Sequence, residues 1–284
     1  LKLDFLYFLD VDRDAAALQA WPALSEAAAG RARTETDVFS EGQLAQFDPW
    51  LAEKARTPLL ATTNAAPDER VVEDRGLVLH AAAPVFDADG RVAGVLAGGV
   101  LLNNNLAFID RLNEIVYPEG ALLLGGKGTA TIFLGDVRVA TNVRLFEGGR
   151  AIGTRVSAAV REAVLGQGRT WLDRAFVVTD WYVSGYQPIL DSAGHRVGML
   201  YVGFLEEPFT AARRAGLAVI VGLFALAMLG AGLFATLWAR RIFRPIERMH
   251  ATMSAIEQGD AAARVGDVAT GDELGELATH FDRL

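Results

Sequence analysis

Cysteine is absent from the 284-residue sequence, which excludes a disulfide framework and any thiolate metal site. Positive charge is also scarce, because 27 Lys and Arg stand against 35 Asp and Glu, for a formal net charge of −8. A chain that binds nucleic acid through its phosphates needs a basic surface. We therefore expect no nucleic-acid partner.

Catalytic signatures are missing as well. No H-E-x-x-H, G-x-S-x-G or Cys-x-x-Cys pattern occurs, and the glycine-rich run Gly125–Thr129 lacks the spacing of a phosphate-binding loop. His250 and His280 lack the flanking pattern of a phosphoacceptor helix. We expect no catalytic residue, no metal site and no cofactor in this chain.

One long segment carries no charge and no proline. Ala215 to Trp238 reads AGLAVIVGLFALAMLGAGLFATLW. As a helix it would span about 36 Å at ~1.5 Å per residue, enough for a hydrocarbon core of about 30 Å. The alternative, a buried core helix, is disfavoured because the segment is apolar on every face. The sequence predicts a transmembrane helix over residues 215–238.

The charges that flank this segment predict its orientation. Arginines cluster after it, at positions 240, 241, 244 and 248, whereas only Arg213 and Arg214 precede it. The positive-inside rule then assigns the C-terminal side to the cytoplasm. We expect a protein of the bacterial cytoplasmic (inner) membrane, with residues 1–209 outside the cytoplasm and a first spanning helix before Leu1.

An internal repeat precedes the membrane segment. The run from Pro84 to Gly99 matches the run from Pro188 to Gly203 without a gap, at a constant offset of 104 residues and with six identities. Each run has an Asp-x-x-Gly turn, at Asp87 and at Asp191, which is typical of a β-hairpin. A repeat of this length indicates two copies of one small fold.

Other patterns complete an α+β reading of both copies. Leu1–Leu9 is predicted as a strand, Ile132–Leu134 and Val137–Thr141 as a hairpin about Gly135-Asp136, and Val156, Val160 and Val164 as one face of a helix that stops at Gly166. Asn105 is expected to cap a helix that joins the copies and ends before Pro118.

The two copies resemble a tandem Cache sensory region, a PAS-like fold with antiparallel sheets. The resemblance lies in residues 84–99, 153–157, 171–186 and 188–203. It implies a membrane-distal domain over residues 1–112 and a membrane-proximal domain over residues 113–209, whose last strand runs into the membrane helix. It also implies an extracytoplasmic small-molecule ligand.

Past the membrane segment the hydrophobic pattern changes to heptads. Two seams have alternating spacings of three and four residues, which is the a/d pattern of a coiled coil. Their members include Ile242, Ile246, Met249, Met253, Leu274, Leu277, Phe281 and Leu284. The connector, residues 259–271, is not expected to be helical. Such short helices cannot bury their seams alone, so we expect a homodimeric four-helix bundle.

This stretch resembles a HAMP domain over residues 239–284, with its second helix cut short by the end of the sequence. The resemblance lies in Arg244-Pro245-Ile246, Gly259-Asp260 and the run Asp272–Leu277. An ordinary juxtamembrane coiled coil is the alternative.

A polar and aromatic cluster in the second copy is the first candidate for a ligand site. An arginine beside aromatic side chains suits a carboxylate, which its planar fork binds through two hydrogen bonds, and an aspartate could hold an ammonium group. The candidates are Trp171, Arg174, Phe176, Asp180, Tyr182 and Tyr186. If this run is a strand, alternation puts Tyr182, Ser184 and Tyr186 on one face. Alternatively, the aromatic residues belong to the core and Arg174 pairs with a surface carboxylate.

A second set of candidates lies in the first copy. Arg70, Arg75 and His80 are the members, and His80 sits in an apolar run that favours a core histidine over a ligand contact. The offset of 104 residues aligns Arg70 with Arg174, so this arginine could instead be a structural feature of the fold.

These observations together predict a transmembrane signal-transduction receptor whose output domain lies beyond Leu284. We expect a sensor histidine kinase of a two-component system. A methyl-accepting chemotaxis receptor or a cyclic-dinucleotide enzyme is the alternative, and a membrane-tethered solute-binding protein is the alternative from a different class. The heptad seams argue against a plain tether.

Overall fold

A computed structural model describes residues 2–122, 126, 128–145, 148–178, 180–266 and 273–283. The chain divides into two compact units, Leu1–Thr210 and Ala211–Leu284. The strands are β1 (Phe5–Asp10), β2 (Arg33–Phe39), β3 (Thr57–Pro58), β4 (Val72–Glu73), β5 (Gly76–Phe86), β6 (Val92–Leu101), β7 (Gly128–Leu134), β8 (Val137–Thr141), β9 (Trp171–Val177), β10 (Asp180–Leu190) and β11 (Arg196–Leu205). The helices are α1 (Ala15–Leu18), α2 (Pro22–Ala28), α3 (Glu41–Phe47), α4 (Pro49–Ala55), α5 (Leu106–Val116), α6 (Ala158–Arg161), α7 (Glu207–Glu257) and α8 (Glu273–Phe281).

The first unit contains two larger antiparallel sheets, and their strand orders correspond. The N-terminal sheet has the order β1-β6-β5-β2, and the second sheet has the order β8-β7-β11-β10-β9. In each sheet a long hairpin, β5–β6 or β10–β11, occupies the centre. The second sheet adds one strand, β8, beside β7. Antiparallel sheets in an α+β unit are therefore present, as predicted.

The internal repeat is confirmed as a repeated hairpin. Pro84 pairs with Val95, and Pro188 pairs with Met199, so the register is the same in both sheets. Each hairpin turns at an aspartate whose Oδ1 accepts backbone hydrogen bonds from the residues two and four positions later. The glycine of each turn has a positive φ, 79° at Gly90 and 83° at Gly194.

The repeat does not extend to Arg70 and Arg174. Arg174 lies in β9, whereas Arg70 lies outside the strands and pairs with Asp68 at 2.7 Å. The strand that stands beside β5 in the place of β9 is β2, which occurs much earlier in the chain. The interpretation of the two arginines as one repeated structural feature is therefore wrong.

Helix α5 connects the two sheets at the predicted position. The Asn105 side chain accepts a hydrogen bond from the Phe108 backbone N–H at 3.1 Å, which satisfies one of the free donors of the first turn. Ile109 on its inner face is fully buried against β7 and β8. The helix thus covers one face of the second sheet and leaves the other face for a separate core.

The other face of the second sheet packs against the segment with the periodic valines. Val156, Val160 and Val164 are all buried there, as predicted, in contact with Phe133 and Tyr201. The helix itself is short, because α6 passes into a single π-helical turn over Glu162–Gly166. Sequence periodicity identified the buried face but could not show this change in helix type.

The N-terminal region contains helices that the sequence analysis did not predict. Helices α1 to α4 lie between β1 and β3 and cover one face of the N-terminal sheet. Each is at most seven residues long, too short for a hydrophobic period to stand out. The predicted strand at the N-terminus is present as β1.

Helix α7 carries the long apolar segment. The most apolar 18-residue stretch of α7 has a mean hydropathy of 2.5, and none of this stretch is buried by protein. The alternative of a buried core helix is therefore wrong. Within the part of the chain that the structure describes, α7 is the one helix long and apolar enough to cross a membrane.

The second unit continues α7 past the apolar segment and adds α8. The seam residues Ile242, Ile246, Met253 and Leu277 are exposed in the single chain, and Met249 is half-buried. The connector is not helical over residues 259–266; residues 267–272, the side chains of Leu274 and Phe281, and Leu284 lie outside the described residues. The backbone N–H groups of Val265 and Gly266 donate to the Asp282 carboxylate, which fixes the connector to the end of α8.

Candidate ligand site

A cavity of about 400 Å³ lies on the face of the second sheet that packs against Val156, Val160 and Val164. One wall is the sheet itself, and another is a segment from between β3 and β4. The lining includes residues 61–64, Arg138, residues 154–157, Trp171, residues 174–178 and Tyr186. A space of this size accommodates a small metabolite.

Arg138 is the most unusual side chain in the lining. It lies in β8 between two buried valines and is itself only 3% exposed. Its Nη1 donates to Thr154 Oγ1 at 2.5 Å, and its guanidinium carbon lies 5.1 Å from the centre of the Phe133 ring. Among the described residues, no carboxylate lies within ion-pair distance of it. Burial lowers the pKa of Arg138, but an arginine stays charged in proteins.

Unpaired hydrogen-bond donors collect in the residues around the cavity. Arg138 Nε, Arg155 Nε and Trp171 Nε1 are buried and have no hydrogen-bond partner among the described residues. A buried donor without an acceptor costs about 1–3 kcal/mol, and more when the group is charged. The cavity region therefore has unused buried donors and, at Arg138, a positive charge with no carboxylate beside it among the described residues. An acceptor-rich, negatively charged ligand would correct both deficits.

Neutral phenols surround the arginine. Burial raises the pKa of Tyr182 to about 12 and also raises the pKa of Tyr186 and of Tyr201. All three therefore remain protonated at neutral pH and cannot neutralise Arg138. Tyr201 is engaged, since its hydroxyl lies 3.1 Å from Thr129 Oγ1.

The predicted candidates divide between the two faces of the sheet. Tyr182, Ser184 and Tyr186 are buried on one face of β10, as the alternation predicted, and Trp171 stands directly opposite Tyr186 in β9. Tyr182 and Tyr186 are also part of the hydrophobic core, as the alternative interpretation held.

Arg174 and Phe176 alternate with the buried residues of β9 and project from the other face of this edge strand. The Arg174 Nε donates to Glu206 Oε2 at 2.6 Å, and its guanidinium lies 5.0 Å from the Trp181 ring. Arg174 thus has a surface carboxylate partner, although it also lines the cavity. Asp180 is exposed at the start of β10.

The second set of candidates is engaged in other contacts. Arg75 Nε donates to Glu73 Oε1 at 2.7 Å, and Arg70 pairs with Asp68 and Glu73. His80 is fully buried, with its Nε2 3.0 Å from the Tyr7 hydroxyl and its Nδ1 3.6 Å from the Asp37 carboxylate. None of the three lines the cavity beside Arg138.

Sequence reasoning missed Arg138, although a signal was present. The strand Val137–Thr141 reads VRVAT, in which one arginine interrupts a run that is otherwise apolar or small. All five residues are buried. A charged residue inside a fully buried strand is expensive, and this cost distinguishes Arg138 from the exposed arginines.

Comparison with known families identifies two segments of the chain. Residues 100–216 match the sequence model of "Single cache domain 3", and residues 239–284 match that of "HAMP domain". The chain therefore contains a Cache sensory domain, then an apolar helix, then a HAMP domain. The Cache match begins before α5 and covers the whole second sheet.

The expectation of two Cache domains is corrected to one. The family model matches the second sheet alone, although the N-terminal sheet repeats its central hairpin. The N-terminal sheet has four strands rather than five, and its edge strand β2 comes from a different place in the sequence. The repeated hairpin therefore predicted two domains of one family, although the segments around the hairpin differ between the two sheets.

Solved structures with some similarity include three sensory domains. The periplasmic domain of Vibrio cholerae LuxQ is 12% identical, with 67% of this chain and 75% of that chain covered at a TM-score of 0.30. The periplasmic sensory domain of the Campylobacter jejuni chemoreceptor Tlp1 is 9% identical, with 68% and 56% covered at 0.29. The extracellular domain of the putative histidine kinase rpHK1S-Z16 is 13% identical, with 54% and 56% covered at 0.24. No curated protein sequence matches the chain.

Proposed function

We propose that this protein is a transmembrane receptor that senses a small anionic molecule, most simply a carboxylate, in the cavity beside Arg138. The buried guanidinium without a carboxylate partner carries this proposal. An uncompensated buried cation costs several kcal/mol, and a ligand carboxylate would offset that cost through charge-assisted hydrogen bonds. Trp171 and Tyr186 would form the apolar part of the site, whereas Arg174 would belong to its rim.

The same proposal gives the receptor an extracytoplasmic sensory region with a membrane-distal domain over residues 1–112 and a membrane-proximal domain over residues 113–209. A transmembrane helix over residues 215–238 and the HAMP domain over residues 239–284 follow. The arginines that follow the apolar segment support a cytoplasmic HAMP domain in a bacterial inner membrane. The exposed seam of α7 and α8 supports a homodimer, because isolated apolar seams of this kind are normally buried against a partner helix.

Signal transfer would follow the backbone from the cavity to α7. Tyr201 in β11 contacts Tyr186 beside the cavity, with ring centres 4.8 Å apart. Strand β11 ends at Leu205, and α7 begins at Glu207, so a shift of the strand moves the helix directly. A bundle with two packings can amplify a small helix displacement.

The output proposed is a sensor histidine kinase of a two-component system. A methyl-accepting chemotaxis receptor is the alternative, since Cache and HAMP segments suit either. The gene sequence past Leu284 separates them, because a kinase has a phosphoacceptor helix and a nucleotide-binding domain, whereas a chemoreceptor has a long heptad hairpin.

The ligand proposal is tested by thermal unfolding of the full chain in lipid nanodiscs with small carboxylates, amino acids and amines. A ligand at about 100 times its dissociation constant stabilises by about 2.7 kcal/mol. Arg138→Gln should abolish the response to a carboxylate, and Arg31→Gln, which removes an exposed arginine outside the cavity lining, should retain it. A response to amines alone, or a carboxylate response that survives Arg138→Gln, would refute the proposal.

A further inference from the structure

One part of the cavity wall does not come from the matched Cache segment. Residues 60–66, here called the strap, lie in the N-terminal region between β3 and β4. Four of them, residues 61–64, line the same cavity as Arg138. The cavity is therefore completed by residues that lie well outside residues 100–216.

Backbone hydrogen bonds hold the strap along residues 153–158. The Leu60 N–H donates to the Gly153 carbonyl at 2.9 Å, and the Ala158 N–H donates to the Asn64 carbonyl at 2.8 Å. Between them, Ala65 forms an antiparallel bridge with Ser157. These contacts pair the strap with the Cache segment much as one strand pairs with another.

Gly153 allows this close approach. It has a φ of +83°, and a Cβ atom added there would lie 2.1 Å from the Pro58 carbonyl oxygen, just before the strap. That distance is impossible for two non-bonded heavy atoms, and the obstacle is backbone rather than a flexible side chain. Any other residue at position 153 would have to push this part of the chain away.

A network of ion pairs fixes the far end of the strap. The Arg155 Nη1 donates to the Ala66 carbonyl at 2.7 Å, and its Nη2 donates to Asp136 Oδ2 at 2.6 Å. Asp68, two residues beyond the strap, lies 3.3 Å from the same Nη2. Because the side chains of Arg155 and Asp136 are only 10% and 3% exposed, this ion pair is largely shielded from solvent and from salt screening.

The strap offers polar groups that the fold itself does not use. Thr62 Oγ1 is engaged, as it accepts from the Arg155 N–H at 3.0 Å. Thr63 and Asn64 are exposed in the part of the chain that lines the cavity, and their side chains have no hydrogen bond in the described part of the chain, so both are open to a ligand. Asn64 also holds a φ of +66°, a conformation that asparagine tolerates better than most residues.

We propose that Thr63 and Asn64 of the strap belong to the ligand site and bind the part of the ligand that lies away from Arg138. This inference rests on the proposed function, since it assumes that Arg138 holds an anionic group. The ligand is then a carboxylate that carries a second polar group. The N-terminal region thereby sets specificity, and the strap must move for ligand to enter or leave.

Cysteine labelling tests the site and the strap separately, because the chain has no cysteine of its own. Ala175 is buried and lines the cavity, and Ala175→Cys in the full chain in nanodiscs provides the reactive group. The probes are two methanethiosulfonates of similar size, one with a sulfonate and one with a trimethylammonium group. Their rate ratio reports the charge preference of the cavity, and their absolute rates report access.

Asn64→Asp places one negative charge on the strap without a change in size. The sulfonate-to-ammonium rate ratio should fall about tenfold, because the added charge repels one probe and attracts the other. The matched control is Gln187→Glu, the same charge change at an exposed position of β10, and it should leave the ratio within about twofold. Equal ratios for the two variants would overturn the inference.

Gly153→Ala should release the strap and raise both labelling rates at least tenfold. Its control is Gly90→Ala, which has a similar positive φ of 79° but nothing within 4 Å of the added Cβ, and it should leave both rates unchanged. Equal rates for the two variants would show that the strap does not close the cavity. Arg138→Gln tests the proposed function by itself: if it leaves the wild-type ratio unchanged, the anion site fails whatever the strap variants show.

Discussion

The Ser192 hydroxyl donates a 2.6 Å hydrogen bond to Asp37 Oδ1 and so joins the turn of the β10–β11 hairpin to β2 of the N-terminal sheet. Asp37 is almost fully buried, next to His80. Burial acts to raise the pKa of Asp37, but the adjacent His80 imidazole and the hydrogen bonds from Ser192 outweigh it, and the pKa lies below its ordinary value. The bond therefore couples the two sheets through a buried charge.

Ser192→Ala should destabilise the first unit by about 1.5–3 kcal/mol, because a carboxylate that loses a donor keeps its desolvation cost. Thermal unfolding at neutral pH measures the change, and hydrogen exchange should show loss of protection at the β10–β11 turn. Ser25→Ala is the control, since that hydroxyl donates to the Pro22 carbonyl of its own helix. A change no larger than that of the control would mean that the two sheets are not coupled at this point.

The carboxylate of Glu73 should make the first unit sensitive to acid. Burial acts to raise the pKa of Glu73. Hydrogen bonds from Arg75 and the charges of Arg75 and Arg70 lower that pKa by more, so it lies below the ordinary value. A lowered folded-state pKa contributes stability above the unfolded pKa of about 4.3, and that contribution is lost as the pH falls through the folded-state pKa.

Glu73→Gln should lower the free energy of unfolding by about 1–3 kcal/mol at pH 7. It should also flatten the fall of stability between roughly pH 5 and pH 3, the range over which this linkage acts. Thermal unfolding across that range measures both effects. Glu114→Gln is a suitable control because Glu114 forms an exposed ion pair with Arg111, of the kind that contributes little. An unchanged acid slope in Glu73→Gln would contradict the prediction.

Arg138, the proposed ligand contact, should lower the free energy of unfolding of the ligand-free protein. Replacement by Met removes a buried charge that has no carboxylate partner among the described residues, and hydrophobic replacement of buried ionic groups can stabilise by about 1–4 kcal/mol. We expect Arg138→Met to raise the unfolding temperature without ligand and to abolish the response to carboxylates. Arg174→Met, at an exposed ion pair with Glu206, should change stability by less than about 1 kcal/mol. Destabilisation by Arg138→Met would mean that a carboxylate already compensates the charge.

Disulfide trapping should report the proposed dimer and its response to ligand. Ile246→Cys and Leu277→Cys place a thiol on the exposed seam of α7 and of α8, and each should crosslink two copies in the membrane. Glu247→Cys, one position beyond the seam, should crosslink several-fold more slowly. Ligand should change the ratio of the two seam crosslinks. Identical patterns with and without ligand would eliminate the relay mechanism.

Several local features of the first unit could be predicted from the sequence. The turns at Asp87 and Asp191 carry their own hydrogen bonds, the Asn105 cap begins α5, and alternation placed Tyr182, Ser184 and Tyr186 on one face. These features depend on neighbours in the chain, so a short window of sequence contains the physical cause.

The candidate site could not be predicted in the same way. Arg174 stands among aromatic residues in the sequence, but strand alternation turns it to the opposite face from Tyr186. Arg138 and Trp171 come together through pairings that pass from β8 across β7, β11 and β10 to β9, and the Thr62–Asn64 wall comes from before the first of these strands. Proximity in sequence therefore singled out Arg174, whereas burial and the absence of a nearby carboxylate among the described residues single out Arg138.

The sequence by itself determined the charge-free span of α7, the heptads that follow it and the repeated hairpin, because each depends on periodicity or composition within one segment. The tertiary structure decided which arginine is buried without a carboxylate and which distant residues close the cavity around it. Burial and ion pairing depend on all the neighbours of a side chain, and residues far apart in the chain supply most of those neighbours.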